Sequence, residues 1–169
     1  MKFPIIAILA SCLLLSCQRT KPQAPSRHSE QDSSRVAMLL VTQRLAEEAD
    51  KELTQYAAQT NGEYTLDEYG FWYKYIKRTN GSYWRKGEAV LIHTKIFSFT
   101  GALLLDNQEQ IEIGKGETIP AIEDMLLMMR RNEACELLIP WYLAFGASGN
   151  ENVEPYTNVR IDIETYTTD

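Results

Sequence analysis

The side chains in this sequence that could form a binding site are apolar and aromatic, and they follow one short apolar run. Residues 134–139 predict a strand with a buried face, and Pro140, which lacks an N–H, predicts its end. Four large apolar side chains come next, namely Trp141, Tyr142, Leu143 and Phe145. Aromatic rings on a loop are costly unless they line or cover something. The segment therefore predicts an apolar site.

Polar catalytic groups do not converge in the same way. Cys135 stands alone in a predicted strand, where a buried and inert thiol is expected. His93 lies in another predicted strand, and the sequence offers no second histidine or cysteine cluster that would complete a metal site. Residues 114–116 predict a turn, because the spacing of a phosphate-binding loop is missing. We expect neither a metal nor a cofactor.

The composition is that of an ordinary globular protein. The 169 residues carry a net charge of −6, and the lysines and arginines are scattered along the chain. Nucleic-acid binding proteins usually concentrate positive charge on one face. The sequence therefore predicts no nucleic-acid partner.

The N-terminus has the pattern of an export signal, predicted to cover residues 1–16. Lys2 precedes an apolar run of signal-peptide length, and Leu14, Leu15 and Ser16 lead into Cys17. This arrangement resembles the lipobox of bacterial lipoproteins, in which the cysteine receives a lipid. The segment ending at Cys12 also fits, but it would leave an unusually short apolar run. We therefore expect Cys17 to carry the lipid anchor.

Two further segments separate the anchor from the folded domain. Residues 17–34 are polar and rich in Ser, Gln and Pro, which predicts a flexible tether. Residues 35–62 predict a helix that ends near a Gly, with apolar side chains at three- and four-residue spacing. These are Met38, Val41, Leu45, Ala49, Leu53 and Tyr56. The stripe either packs on the domain or docks a second copy or an envelope partner through residues 35–60.

The remainder, residues 68–169, predicts an α+β domain. Alternating apolar residues indicate strands over 70–77, 89–99 and 158–167, and shorter ones at 103–105 and 111–113. One short helix is predicted over 119–130, with a methionine-rich buried stripe. Several strands, one helix and further strands in this order indicate an antiparallel sheet wrapped around a helix.

Four segments of this domain together resemble FKBP-type peptidyl-prolyl isomerases. Residues 139–149, I-P-W-Y-L-A-F-G-A-S-G, are similar to that family's I-P-x-x-L-A-Y-G-x-x-G segment. Residues 113–136 are similar to its L-G-x-G-x-V-I-x-G-W helix region, 87–101 to its G-D-x-V-x-V-H-Y strand, and 158–164 to its closing strand. The G-F-W-Y strand and the preceding helix resemble FKBP-like lipoproteins of Bacteroidetes associated with gliding motility.

The resemblance also implies which residues would form the pocket. The family's aromatic and apolar pocket positions fall on Thr94, Leu104, Ile119, Ile122, Phe145 and Ile161. The acidic member of a Phe-Asp pair falls on Leu105, or on Asp106 if one residue is inserted. Only Ile119 is unchanged, and the backbone N–H of Ile119 is expected to contact a substrate carbonyl. The other substitutions remove much aromatic surface, so the pocket is degenerate.

The resemblance implies isomerisation of X–Pro bonds, which is slow because rotation costs roughly 18–20 kcal/mol. A dry apolar slot favours the twisted amide, whose charges are less separated than those of the planar forms, so no acid, base or metal is required. We expect either a lipid-anchored isomerase or folding helper acting on proline-containing segments of exported proteins, or an inactive FKBP-like scaffold in an envelope complex. Gln18, which follows the lipid-bearing cysteine, is not an acidic retention signal, and the resemblance to other bacterial lipoproteins then implies the outer membrane, facing the periplasm.

Overall fold

The computed structural model describes residues 28–59 and 63–167. The predicted signal peptide and Cys17 lie outside the described residues. The chain divides into two compact units, residues 1–38 and 39–169. In the first unit the described residues are helical, and in the second a helical segment is followed by an α+β domain.

The N-terminal helix, α1, runs from His28 to Gln59. It begins before residue 34, so the C-terminal part of the predicted flexible tether is wrong. Polar residues such as Ser33 and Ser34 do not stop a helix when good helix formers follow, and propensity is a weak signal at a boundary. No helix among the described residues is both long and apolar enough to cross a membrane.

The sheet has six antiparallel strands in the order β1-β2-β5-β6-β3-β4. The strands are β1 (Thr65–Leu66), β2 (Trp72–Lys77), β3 (Ala89–Ser98), β4 (Leu103–Glu112), β5 (Ala134–Ile139) and β6 (Val159–Tyr166). The second helix, α2, covers Pro120–Met128, and a 3₁₀ turn covers Trp141–Leu143. This architecture confirms the predicted antiparallel sheet on one short helix.

Two strand predictions are wrong in detail. The sequence predicts no strand between the N-terminal helix and residue 70, but Thr65 and Leu66 pair with the start of β2. The two short strands predicted around 103–105 and 111–113 are one continuous strand, β4. The polar run between them hid this continuity. An edge strand needs no apolar alternation when its backbone pairs with a neighbour, as nine residues of β4 do with β3.

The main core lies between α2 and the concave face of the sheet. Ile122, Met125, Leu126 and Met129 are buried against apolar side chains of β3, β5 and β6. The predicted packing role of the methionines is therefore confirmed. Cys135 is also buried here, and burial raises the pKa of its thiol well above the ordinary value.

The convex face of the sheet carries a smaller core against α1. Leu53 and Ala57 of α1 are buried with Tyr64 and Leu138 of β5. The ring of Tyr56 stacks on that of Phe99, with 4.9 Å between ring centroids. The C-terminal half of the predicted apolar stripe thus packs on the domain.

A buried carboxylate fixes the junction between α2 and β5. The side chain of Glu133 is fully buried and accepts the N–H groups of Thr79, at 3.1 Å, and Arg130, at 2.8 Å. The Arg78 Nε lies 3.2 Å from the Glu133 Oε1. This charge is paired and hydrogen-bonded, which is the condition for burying it without a large cost.

Candidate functional site

A pocket of about 240 Å³ lies between β3, β4, the start of α2 and the loop after β5. Its walls mix apolar with uncharged polar side chains and one carboxylate. The lining residues are Thr94, Ile96, Leu105, Asn107, Glu109, Thr118, Ile119, Ile122 and Phe145. The volume is below the roughly 300–1,000 Å³ usual for small-molecule sites. It suits a small apolar group better than a large ligand.

Strands β3 and β4 supply one wall through their register. Thr94 lies opposite Asn107, and Ile96 lies opposite Leu105, so these side chains share the concave face. Thr94 is buried, and its Oγ1 lies 3.5 Å from the Asn107 carbonyl oxygen. The hydroxyl is therefore held toward the strand backbone.

A bulge decides which leucine of β4 reaches the pocket. The register shifts between Ile96 and Phe97, so that Leu104 is the extra residue on β4. Leu104 is half-buried against the core but does not line the pocket, whereas Leu105 does. The predicted pocket role of Leu104 is corrected to Leu105.

Asp106, the alternative acidic position, lies outside the pocket. Its Oδ1 is 2.6 Å from the His93 Nε2, and both side chains lie on the convex face of the sheet. The pocket therefore lacks the carboxylate that the resemblance placed in the Phe-Asp pair. The carboxylate that does line the pocket belongs to Glu109, which the sequence comparison did not indicate.

The start of α2 supplies the second wall. Ile119 is extended, with φ −59° and ψ 133°, and its carbonyl accepts the N–H of Ile122 at 2.8 Å. Pro120 occupies the first helical turn, where its missing N–H is harmless. Ile119 and Ile122 therefore face the pocket together, as the resemblance implied.

The loop after β5 supplies Phe145. The N–H of Gly146 donates to the Trp141 carbonyl at 2.8 Å, and the N–H of Tyr156 donates to the Gly146 carbonyl at 3.1 Å. These bonds close the chain around the 3₁₀ turn and leave Phe145 against the pocket. Of the large apolar side chains predicted on this loop, the structure places Phe145 at the pocket.

The other two aromatic rings of this loop contact α1 and not the pocket. Trp141 is buried, with its ring 4.8 Å from that of Tyr156, and its indole N–H donates to the Leu45 carbonyl of α1 at 3.4 Å. Tyr142 donates its hydroxyl to Asp50 of α1. Both rings join the loop to the helix and neither lines the pocket.

Ile161 is not exposed to the pocket. It is fully buried on β6, between Ile96 of β3 and Leu137 of β5. Ile96 and Ile122, which line the pocket, are themselves almost completely buried, and Ile161 is not among the lining residues. The predicted set is therefore brought together at Thr94, Ile119, Ile122 and Phe145, whereas Leu104 and Ile161 belong to the supporting core.

Ile96, Asn107 and Glu109 were missed as lining residues. The alternation of β3 could have indicated Ile96, because Thr94 and Ile96 lie on the same face of a strand. Asn107 and Glu109 could not be placed without knowing that β4 is continuous. Thr118, next to the predicted Ile119, also lines the pocket.

A second depression, of about 400 Å³, lies on the convex face of the sheet beside Lys95, Glu136 and Asp162. Several charged side chains line it, and one of them, Glu136, is already paired, since its Oε1 lies 3.0 Å from the Lys74 Nζ. Such walls are less suited to an apolar group than the pocket beside Phe145. In the described part of the chain no three acidic, histidine or cysteine side chains are arranged to hold a metal ion.

Comparison with solved structures gives the class of fold. The chain is similar to FkpA from Escherichia coli, with a TM-score of 0.62 and 15% identity over 99% of this chain and 83% of that one. It is also similar to a peptidyl-prolyl cis-trans isomerase from Pseudomonas syringae, with a TM-score of 0.60 and 17% identity over 72% of this chain and 94% of that one. The N-terminal domain of FKBP42 from Arabidopsis thaliana gives a TM-score of 0.54 and 23% identity over 62% and 90% of the two chains.

One known family also matches the sequence of the domain. Residues 82–165 match the family model of the FKBP-type peptidyl-prolyl cis-trans isomerases. No curated protein matches the sequence. The matched span begins after β2 and ends within β6, and it includes every residue that lines the pocket.

Proposed function

We propose that this protein is a peptidyl-prolyl cis-trans isomerase for exported polypeptides and that a lipid on Cys17 holds it at the outer membrane. The observation that carries the activity is the pocket in which Ile119, Ile122 and Phe145 meet within an FKBP-type domain. These side chains form an apolar surface against which a prolyl ring can pack. The proposed location at the outer membrane rests on the predicted export signal and on the cysteine pattern that follows it.

The pocket residues have distinct roles in this proposal. Phe145 and Ile122 hold the prolyl ring and exclude water, which favours the twisted amide over the planar forms. The backbone N–H of Ile119 donates to a substrate carbonyl and fixes the orientation of the peptide. No group is asked to transfer a proton or to form a covalent bond.

The activity is tested with the full chain and a short proline peptide in a coupled isomerisation assay. We expect catalysis above the uncatalysed rate, and a loss of about tenfold in kcat/KM for Phe145→Ala, which corresponds to ~1.4 kcal/mol. Tyr142→Ala is the matched control, because it removes a ring from the same loop outside the pocket. Wild-type protein that is no faster than background would rule out the isomerase.

An inactive scaffold is the second candidate, and the polar share of the pocket favours it. Thr94, Asn107, Glu109 and Thr118 take part in the lining, and the aromatic rings expected from the family are missing except for Phe145. A scaffold would bind proline peptides with an affinity that depends on Phe145 and would show no rate enhancement. Titration and kinetics on the same protein separate the two candidates.

The anchor and the N-terminal part of α1 complete the proposal. Metabolic labelling with a fatty acid should fail for Cys17→Ala and persist for Cys12→Ala. Leu39, Leu40 and Val41 are each more than half exposed, which supports docking of a second copy through α1. Sedimentation of the wild type and of Leu39→Glu with Leu40→Glu should give a dimer and a monomer, and a monomeric wild type would contradict this part.

A further inference from the structure

The outer edge of β4 presents a row of backbone groups next to the pocket. Strand β4 is the last in the sheet order, and no other strand among the described residues pairs with its far side. An edge strand of this kind can add a further extended chain through main-chain hydrogen bonds. The proposed isomerase site does not involve these backbone groups, so they remain available to bind an extended chain.

Hydrogen bonds fix which residues of β4 point outward. The N–H of Ser98 donates to the Ala102 carbonyl. Ser98 and every second residue before it in β3 therefore direct their backbone N–H and C=O groups toward β4. Thr94 is one of these, and its partner Asn107 therefore bonds inward. Residues 106, 108 and 110 then direct their N–H and carbonyl groups away from the sheet.

One end of this edge is already closed. The N–H of Glu112 donates to the Glu117 Oε2 at 2.7 Å, which confirms the outward direction of this alternation. The open stretch is thus Asp106 to Gln110. At about 3.4 Å per residue, it is long enough to pair with a segment of about five residues.

The same strand lines the pocket with its other set of side chains. Leu105, Asn107 and Glu109 face the pocket, while Asp106 and Gln108 are exposed on the convex face. A chain paired with the edge would therefore continue directly beside the prolyl site. Its side chains would alternate between the pocket face and the convex face.

Charge indicates what kind of chain fits. Asp106 lies beside His93 and 4.0 Å from the Lys95 Nζ, and Glu112 lies 3.5 Å from the Lys115 Nζ. In the described part of the chain, Glu109 has no ion-pair partner and lines the pocket at this edge. A basic side chain in the added segment would supply that partner.

We propose that β4 pairs with an extended segment of a client polypeptide that carries a lysine or arginine near its proline, with the basic side chain directed at Glu109. This inference rests on the proposed function and adds the sequence class of the client. A second copy of this chain fits the edge less well, because β4 carries three carboxylates and no basic residue, so two copies would bring like charges together.

The test uses the full chain and synthetic peptides long enough to reach both the pocket and the edge. One peptide carries lysines beside an Ala-Pro pair, a second carries glutamates in their place, and a third is the short proline core alone. We expect the lysine peptide to bind about fivefold or more tightly than the glutamate peptide, and the difference to shrink in Glu109→Gln. Equal affinities for all three peptides would overturn the proposal.

Amide hydrogen exchange reports on the edge directly. The lysine peptide should slow exchange at Asp106, Gln108 and Gln110. Protection limited to residues 118–122 and Phe145 would overturn the edge pairing. Protection that depends on protein concentration without peptide would assign the edge to a second copy and would also overturn it.

A proline on the edge gives the matching variant. Gln108→Pro removes an outward N–H without breaking the bonds to β3, and the long peptide should then bind no better than the short core. If far-UV circular dichroism shows that this variant is unfolded, a lysine peptide N-methylated at its pairing amides replaces it and should show the same loss. Unaltered binding in that comparison would contradict the proposal. Edge protection without rate enhancement would contradict the isomerase alone.

Discussion

The backbone N–H of Trp141 donates to the Oδ1 of Asn158 at 2.9 Å, across the long loop between β5 and β6. The Nδ2 of the same asparagine donates to the Glu52 Oε2 of α1 at 2.6 Å. One side chain therefore joins the end of β5, the beginning of β6 and the helix. The position of Phe145 depends on this junction, because the 3₁₀ turn at Trp141 leads into it.

Replacement of Asn158 by Ala should destabilise the domain and loosen the loop. The N–H of Trp141 would lose its acceptor while partly buried, and we expect a loss of about 1–3 kcal/mol in the free energy of unfolding. Denaturant unfolding measures it. Glu52→Gln is the control, because it keeps an acceptor oxygen for Asn158, and its effect should be smaller. An Asn158→Ala variant with wild-type stability would show that the junction is not required.

The two glycines of the loop should respond differently to alanine. Both have positive φ, +69° at Gly146 and +63° at Gly149, but only Gly149 is crowded. A Cβ at Gly149 would lie 2.3 Å from the Val153 carbonyl oxygen, whereas at Gly146 nothing lies within 4 Å. We expect Gly146→Ala to cost only the ~1–2 kcal/mol of the left-handed conformation, and Gly149→Ala clearly more. Thermal unfolding ranks the two variants, and equal melting temperatures would contradict the prediction.

Restoring the family's tryptophan at position 122 should not restore an aromatic floor. Ile122 is 1% exposed and belongs to the buried cluster that also contains Met125, Leu126 and Ile161, so an indole at this position would press on these side chains as well as fill the pocket that Ile122 lines. We expect Ile122→Trp to destabilise the domain by about 1–3 kcal/mol through overpacking. Ile122→Leu keeps the volume and should cost less. A stable Ile122→Trp protein with increased isomerase activity would show that the floor can open.

Two neighbouring carboxylates on the convex face should affect stability with opposite signs. Burial alone would raise the pKa of Glu136, but hydrogen bonds from Tyr64 and Lys74 outweigh it and leave that pKa below the ordinary value. Burial raises the pKa of Asp162, and the negative charge of Glu136 adds to this effect. The Asp162 Oδ1 lies 3.8 Å from the Arg160 Nε, and in the described part of the chain neither atom has a hydrogen-bond partner.

The pH dependence follows from these directions. Because its pKa is lowered by folding, ionised Glu136 stabilises the fold above its unfolded pKa, and this contribution is lost as the pH falls through the folded pKa. Glu136→Gln should therefore lower the melting temperature at pH 7, with a smaller difference at pH 3. Ionised Asp162 costs stability at neutral pH, and protonation removes the cost. Asp162→Asn should raise the melting temperature at pH 7, and a lowered value would contradict the assigned sign.

Local patterns predicted the frame of the domain because each of its elements has a strong period. The alternation around Val90 and Ile92 indicated β3, and the spacing of Ile122, Met125 and Met129 indicated α2. Strand β4 was harder, because Asp106 to Gln110 are polar residues on an edge whose pairing comes entirely from a distant strand. Likewise the tether and helix could not be separated at residue 34, since helix boundaries depend on weak local preferences.

The sequence by itself determined the α+β frame, the FKBP-type motifs and the aromatic loop, because these depend on residue types at fixed spacing. Only the tertiary structure decided which side chains meet. Because β4 contains one extra residue, Leu105 rather than Leu104 lines the pocket. Because β6 pairs with a strand on each side, Ile161 is buried and does not line it. Register and burial arise from contacts between distant strands, and no local pattern records them.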